Sequence, residues 1–185
     1  MPNARIAIVA VVLCAGCGVT DDTPSGGDTT TVACAQACKD NRTSAGVIDV
    51  LNFLYNQTFA GQPVGAQDLT AACALGGSVH ITGSNGYDSG TGVITLNLSY
   101  DMTSCAASDS AYNLTFGGAV SQSGTLEQQG QISIVYYSAA LEFDGTVNGT
   151  AVTDSDCSLA LQEQRNSDNT NYRVSGNLCD RPVSY

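Results

Sequence analysis

From Gly76 onward apolar and polar residues alternate along the chain, and this period of two limits the fold more than any other feature. The clearest case is Ile94–Met102. Ile94, Leu96, Leu98, Tyr100 and Met102 share one face, while Thr95, Asn97, Ser99 and Asp101 fill the other. Strands patterned this way belong to antiparallel sheets that are buried on one side and wet on the other. The same alternation runs through Val79/Ile81, Tyr112/Leu114/Phe116, Ile132/Ile134/Tyr136, Leu141/Phe143/Val147, Leu159/Leu161 and Tyr172/Val174/Leu178, which predicts seven strands. Turn-rich pieces separate them: Ser84–Gly90, Gln128–Gln131, Asn148–Gly149 and Asn166–Asn169. None leaves room for a crossover helix, so neighbouring strands are expected to pair as a meander.

Ahead of the strands lies one amphipathic segment. Thr43 or Ser44 is expected to cap a helix with Val47, Val50, Leu51, Leu54 and Tyr55 on one side and Asp49, Asn52 and Asn56 on the other. The stretch Phe59–Pro63 ends it, and a short second helix is expected over Gln67–Ala74. One apolar sheet face needs a cover, and the first helix is the amphipathic element that can supply it. The expected fold is therefore mainly β (α+β): a seven-stranded antiparallel meander, as a curled sheet or partly closed barrel, packed on an N-terminal helix.

The first seventeen residues speak to destination. Arg5 is followed by the apolar run Ile6–Ala15, ten residues long, which is the layout of a secretory signal and too short for a transmembrane helix. The run ends in Cys14-Ala15-Gly16-Cys17, which resembles the lipobox of bacterial lipoprotein precursors, with a cysteine at residue 14 where that family has an aliphatic residue. The resemblance implies a signal peptide over 1–16 and lipidation of Cys17. Gly18–Thr31 is Gly, Ser, Thr, Asp and Pro with a single aliphatic residue, so residues 17–31 are expected to be a lipidated cysteine and flexible tether. Residues 32–185 then form a single domain. With Gly18 rather than Asp after the lipidated cysteine, the resemblance implies the outer membrane.

Charge narrows the partners. The chain has 6 basic and 17 acidic residues, and Thr43 through Gln164 contains no Lys or Arg. Nucleic-acid binding draws on Lys and Arg to displace counterions, and nucleotide sites on Arg clamps or a P-loop lysine, so neither partner is expected. The expected partners are the membrane, through the lipid, and an envelope protein.

Six cysteines follow Cys17: Cys34, Cys38, Cys73, Cys105, Cys157 and Cys179. An even number in an exported chain is read as three disulfides. Cys73-Ala-Leu-Gly-Gly-Ser78, with Thr103-Ser-Cys105 and Leu114-Thr-Phe-Gly117 after it, is similar to a C-x2-G-G-[ST] pattern in uncharacterised exported β-rich bacterial proteins. That resemblance implies that Cys73 and Cys105 belong together. They flank the Tyr87–Gly90 turn as Cys157 and Cys179 flank Asp168, although Cys179 is out of phase with Leu178, so that second pairing calls for a bulge or a frayed strand end.

No catalytic constellation is visible, and with one histidine there is no His pair for a metal. His80, between Val79 and Ile81, belongs on the wet face. Glu142/Asp144 and Asp154/Asp156 are the one concentration of carboxylates. If Phe143 faces Cys157, Asp144 faces Asp156, and like charges placed opposite each other call for neutralisation. This makes Asp144, Asp154 and Asp156, with Glu142 as a fourth candidate, a set of hard oxygen ligands suited to Ca²⁺; the competing reading is a solvated acidic face with no cofactor. Three function classes follow: an envelope binding or interaction module, a carrier whose curled sheet holds an apolar ligand against Leu96, Leu98, Leu114, Phe116 and Ile134, and, last, an enzyme. A helix filling the concave face favours the first, and an open cavity the second.

Overall fold

The computed structural model describes residues 29–59, 64–127, 130–166 and 171–185, with side chains from Gln36 onward. The expected signal peptide, Cys17 and the tether as far as residue 28 lie outside the described residues, as does the Cys34 side chain.

The helix α1 spans Thr29–Thr58. It begins well before Thr43 and Ser44, which are not caps but buried positions within it. The upstream run Ala33–Lys39 is rich in Ala with Gln and Lys, all strong helix formers, so nothing obliges the helix to start at the hydroxyl residues. Its end is where Phe59 places it: the Phe59 N–H donates to the Tyr55 carbonyl at 2.8 Å.

Eight strands follow instead of seven: β1 Gly65–Ala72, β2 Ser78–Asp88, β3 Val93–Ser108, β4 Tyr112–Glu127, β5 Ile132–Val147, β6 Thr150–Arg165, β7 Arg173–Leu178 and β8 Arg181–Ser184. They form one antiparallel meander in sequence order. Three differences from the expected pattern have physical causes. The segment expected as a second helix is β1, an edge strand, where pairing with β2 outweighs the helical preference of Ala66, Ala71 and Ala72. The two strands expected over 132–147 are one, because the change of inward parity between Tyr136 and Leu141 is a bulge and not a strand break. The turn expected over Ser84–Gly90 falls later, since Ser84–Asp88 still pairs with β3.

Strands of 16 residues would reach about 50 Å if straight. They do not run straight. Register shifts occur between Met102 and Cys105, between Gly117 and Ser121, and between Ser138 and Phe143, all at neighbouring positions on consecutive strands. The irregularities line up as a crease across β3–β6 and curl the sheet. At Gly124, φ is +135° and a Cβ would lie 2.1 Å from the Ser133 carbonyl oxygen, so only glycine lets β4 coil that tightly against β5.

The concave face holds α1. Val47, Leu51 and Leu54 are fully buried and join Ile81, Leu96, Leu98, Tyr100, Leu114 and Phe116 in one core. Gly46 is the point of closest approach: a Cβ there would meet Leu114, Phe116 and Tyr112 side chains at 3.3 Å. The helix is also fastened to the edge strand β8. Arg181 donates to both Asp40 oxygens at 2.7 and 2.9 Å, and the Asn41 amide exchanges two hydrogen bonds with the Ser184 backbone. Covering β8 in this way shields backbone groups that would otherwise template aggregation. Among the described residues no helix is long and apolar enough to cross a membrane.

Disulfides join Cys73 to Cys105 and Cys157 to Cys179, and Cys38 is disulfide-bonded as well. Cys105 and Cys157 each follow a bulge, which turns them inward. Cys179 meets Cys157 despite its phase because it is not a ladder position. Leu178 pairs with Arg181, so Cys179 and Asp180 form a two-residue hairpin turn with φ of 48° and 60°.

Candidate functional site

The inward face of the sheet is mainly apolar; besides Asn85 and Ser138, its buried polar residues lie along one diagonal. Register places Leu98 opposite Gln122, Gln122 opposite Tyr136, and Tyr136 opposite Leu161. One step along, Ile134 lies opposite Glu163, and Glu163 opposite Val174. The pleat therefore sends Gln122, Tyr136 and Glu163 toward the core beside Tyr100, and all four are buried.

They satisfy one another in a line. The Tyr100 hydroxyl donates to Gln122 Oε1 at 2.7 Å, and the Gln122 side chain hydrogen-bonds to Tyr136. The Tyr136 hydroxyl donates to Glu163 Oε2 at 2.5 Å. Each strand from β3 to β6 contributes one member, and the donors run toward the carboxylate. Hydrogen bonds in series polarise one another, so a line ending on a carboxylate favours negative charge at that end. Tyr172, just before β7, adds a second hydroxyl on the side of Glu163.

The electrostatics are unbalanced. Burial pushes the Glu163 carboxyl above its ordinary value, opposed by the hydroxyls of Tyr136 and Tyr172 and by Arg165. Burial likewise pushes the phenols of Tyr100, Tyr136, Tyr172 and Tyr185 far above the usual tyrosine range. Glu163 Oε1 and the Tyr185 hydroxyl are buried without a hydrogen-bond partner among the described residues. Asp49, expected on the polar side of α1, is half-buried and accepts a 2.5 Å hydrogen bond from the Tyr112 hydroxyl. Its carboxyl is also raised, by burial first, and it lies within electrostatic reach of Glu163, Tyr172 and Tyr185. A set of oxygens with surplus negative charge in a low dielectric can hold a proton or a small cation.

None of this diagonal was among the expected site residues. The signal was present: Glu163 continues the inward parity of Leu159 and Leu161, and Gln122 that of Val120 and Leu126. Assigning the inward face by its apolar members passes over polar residues with the same parity.

The acidic hairpin is arranged differently from expectation. Phe143 pairs with Asp154, not with Cys157, and Asp144 pairs with Thr153. A register shift puts Leu141 opposite Cys157, so Asp144 and Asp156 do not face each other. Asp154 is half-buried and accepts a hydrogen bond from the Asp156 N–H, whereas Asp144, Asp156 and Glu142 are exposed. The segment lacks Lys and Arg in sequence but not in space, since Arg181 lies within electrostatic reach of Asp154. Asp154 also approaches Cys157 and Cys179, whose sulfurs are tied in a disulfide and offer no thiolate to a metal. His80 is on the wet face as expected, 2.7 Å from Asp68. The residues named as a carrier lining, Leu96, Leu98, Leu114, Phe116 and Ile134, are buried beneath α1 and the rest of the core.

No protein-family model, no curated protein and no solved structure matches this chain.

Proposed function

We propose that this chain is an exported, lipid-anchored protein of the bacterial outer membrane, tethered through Cys17, whose body is a binding or interaction module and not an enzyme. The observation that carries this reading is the filled concave face. Gly46 packs directly on Leu114 and Phe116, and Leu51 and Leu54 are fully buried between helix and sheet. An apolar ligand would have to displace that helix, with a loss of core burial of several kcal/mol. The carrier reading thus loses its volume, and recognition falls to the outer surface. Two disulfides support an oxidising compartment.

Two measurements test this reading. Membrane fractionation of the wild type and Cys17→Ser should show the variant released or left unprocessed; equal partitioning with an unchanged N-terminal mass contradicts the anchor. Titration of the protein with a fluorescent fatty acid should show no stoichiometric binding, while cross-linking in the envelope should yield a discrete heteromeric adduct. Stoichiometric fatty-acid binding without any adduct would restore the carrier.

A further inference from the structure

Among the described residues five buried side-chain polar atoms lack partners, and two of them, Glu163 Oε1 and the Tyr185 hydroxyl, belong to one cross-strand row. Glu163 on β6 pairs with Val174 on β7. Val174 in turn exchanges backbone hydrogen bonds with Tyr185, of 2.7 and 3.0 Å. Glu163, Val174 and Tyr185 thus lie side by side across three chain segments. Glu163 is 0% exposed, its Oε2 accepts from Tyr136, the Tyr172 hydroxyl lies on its side, and its Oε1 has no hydrogen-bond partner among the described residues. The Tyr185 hydroxyl is buried and equally unpartnered. Tyr172 and Asp49, both half-buried, border the same region.

A native interior leaves few polar atoms unsatisfied, and those that remain commonly mark a bound ion or water. The donor set here is all oxygen: a carboxylate, phenol hydroxyls and a second carboxylate. Hard oxygen donors suit hard cations, and the surplus negative charge selects for positive charge over a neutral molecule. Arg165 is the cation within electrostatic reach of Glu163, and its guanidinium hydrogen-bonds to the Gly130 carbonyl instead.

We propose that Glu163 Oε1 and the Tyr185 hydroxyl, bordered by Tyr172 and Asp49, form an internal binding site for a small cation of the alkali-metal or ammonium class. The cation replaces the missing partner of Oε1 and neutralises a charge that the core otherwise disfavours. The hydrogen-bond line from Tyr100 through Gln122 and Tyr136 holds the carboxylate in place by its other oxygen. The site is separate from the carboxylates of the acidic hairpin; its ligands come from β6 and from Tyr185 beyond β8, with Asp49 of α1 within electrostatic reach. Occupancy therefore ties β6 to the chain segment beyond β8.

Thermal melting of the protein at pH 8 tests the proposal, in chlorides of sodium, potassium, ammonium and tetramethylammonium at one ionic strength. The organic cation has no bare charge to offer oxygen ligands and serves as the reference, and matched ionic strength cancels general screening. At least one small cation should raise the melting temperature over tetramethylammonium, with a saturable dose response. At a hundredfold excess over its dissociation constant it should multiply the folded-to-unfolded ratio about a hundredfold. Sodium and potassium against ammonium distinguish the two sources of the charge. The shift should disappear in Glu163→Gln and shrink in Tyr185→Phe. Equal melting temperatures in all four salts overturn the proposal, as does a full shift retained in Glu163→Gln. Should the Gln variant fail to fold, Tyr185→Phe removes only one hydroxyl and decides alone: an undiminished shift there refutes the site.

Discussion

The Tyr136 hydroxyl donates to Glu163 Oε2 at 2.5 Å across the β5–β6 pair, and both residues are 0% exposed. A carboxylate at this depth, with no cation in contact among the described residues, makes folding sensitive to pH. Its folded-state pKa is raised, with burial the main cause, so the protonated form is favoured in the fold. The stabilising contribution is complete below the ordinary glutamate value and is lost as pH rises through the raised folded value. Tyr136, Tyr172, Tyr185, Asp49 and Arg165 face this group, and Asp49 is shifted in the same direction. In tetramethylammonium buffer, urea midpoints of the wild type should fall relative to Glu163→Gln between pH 4 and pH 8. The Gln variant should be the more stable at pH 8 by about 1–3 kcal/mol, the cost of leaving a buried polar group unsatisfied. Parallel pH profiles for the two proteins would show that Glu163 carries no such penalty.

Truncation of the helix should be severe. Leu51 and Leu54 are 0% exposed at the centre of the helix–sheet contact. Leu51→Ala or Leu54→Ala is expected to cost about 2–5 kcal/mol in chemical denaturation, through lost burial and the cavity left behind. A loss under about 1 kcal/mol would mean that α1 is not seated in the sheet as described.

Gly124→Ala tests the curl. The new methyl would lie 2.1 Å from the Ser133 carbonyl oxygen at a φ of +135°. The expected loss is at least about 1–3 kcal/mol, since the strained backbone comes on top of the clash. Wild-type stability in this variant would be inconsistent with tight coiling of β4 on β5.

The Cys157–Cys179 bridge closes a loop with a sequence separation of 22. Its removal by the double Ser substitution should cost about 3 kcal/mol by loop-closure entropy, and the Cys73–Cys105 bridge, with a separation of 32, slightly more. Melting with and without reductant should show the same ordering. Free thiols at any of these four positions in peptide mapping would contradict the pairing.

Much of the architecture was legible because it is written in short-range patterns. Strict alternation in Ile94–Met102 could serve only a half-buried antiparallel strand, and the Val47–Tyr55 stripe only a covering helix. The Cys73–Cys105 disulfide, which the resemblance around Cys73-Ala-Leu-Gly-Gly-Ser78 implies, is present in the fold. The failures share one cause. A bulge and a strand break both appear in sequence as a change of parity, so Ile132–Val147 reads as two strands. Ala-rich Gly65–Ala72 has no local pattern strong enough to resist pairing with β2. The opposition of Asp144 and Asp156 requires an unbroken register, and the Leu141–Phe143 irregularity breaks it.

By itself, then, the sequence determined the mainly β class, the meander order and the need for a helix over the apolar face, because periodicity and short connections leave few other ways to bury these residues. Tertiary structure alone decided which polar side chains share the interior. Gln122, Tyr136 and Glu163 lie 14 and 27 positions apart and meet through the register of three strands, which bulges set and composition does not reveal. It also decided that Arg181 compensates Asp40 and approaches Asp154. Charge pairing depends on distance in space, and the packing of α1 against β8 brings Asp40 to Arg181 across a sequence separation of 141.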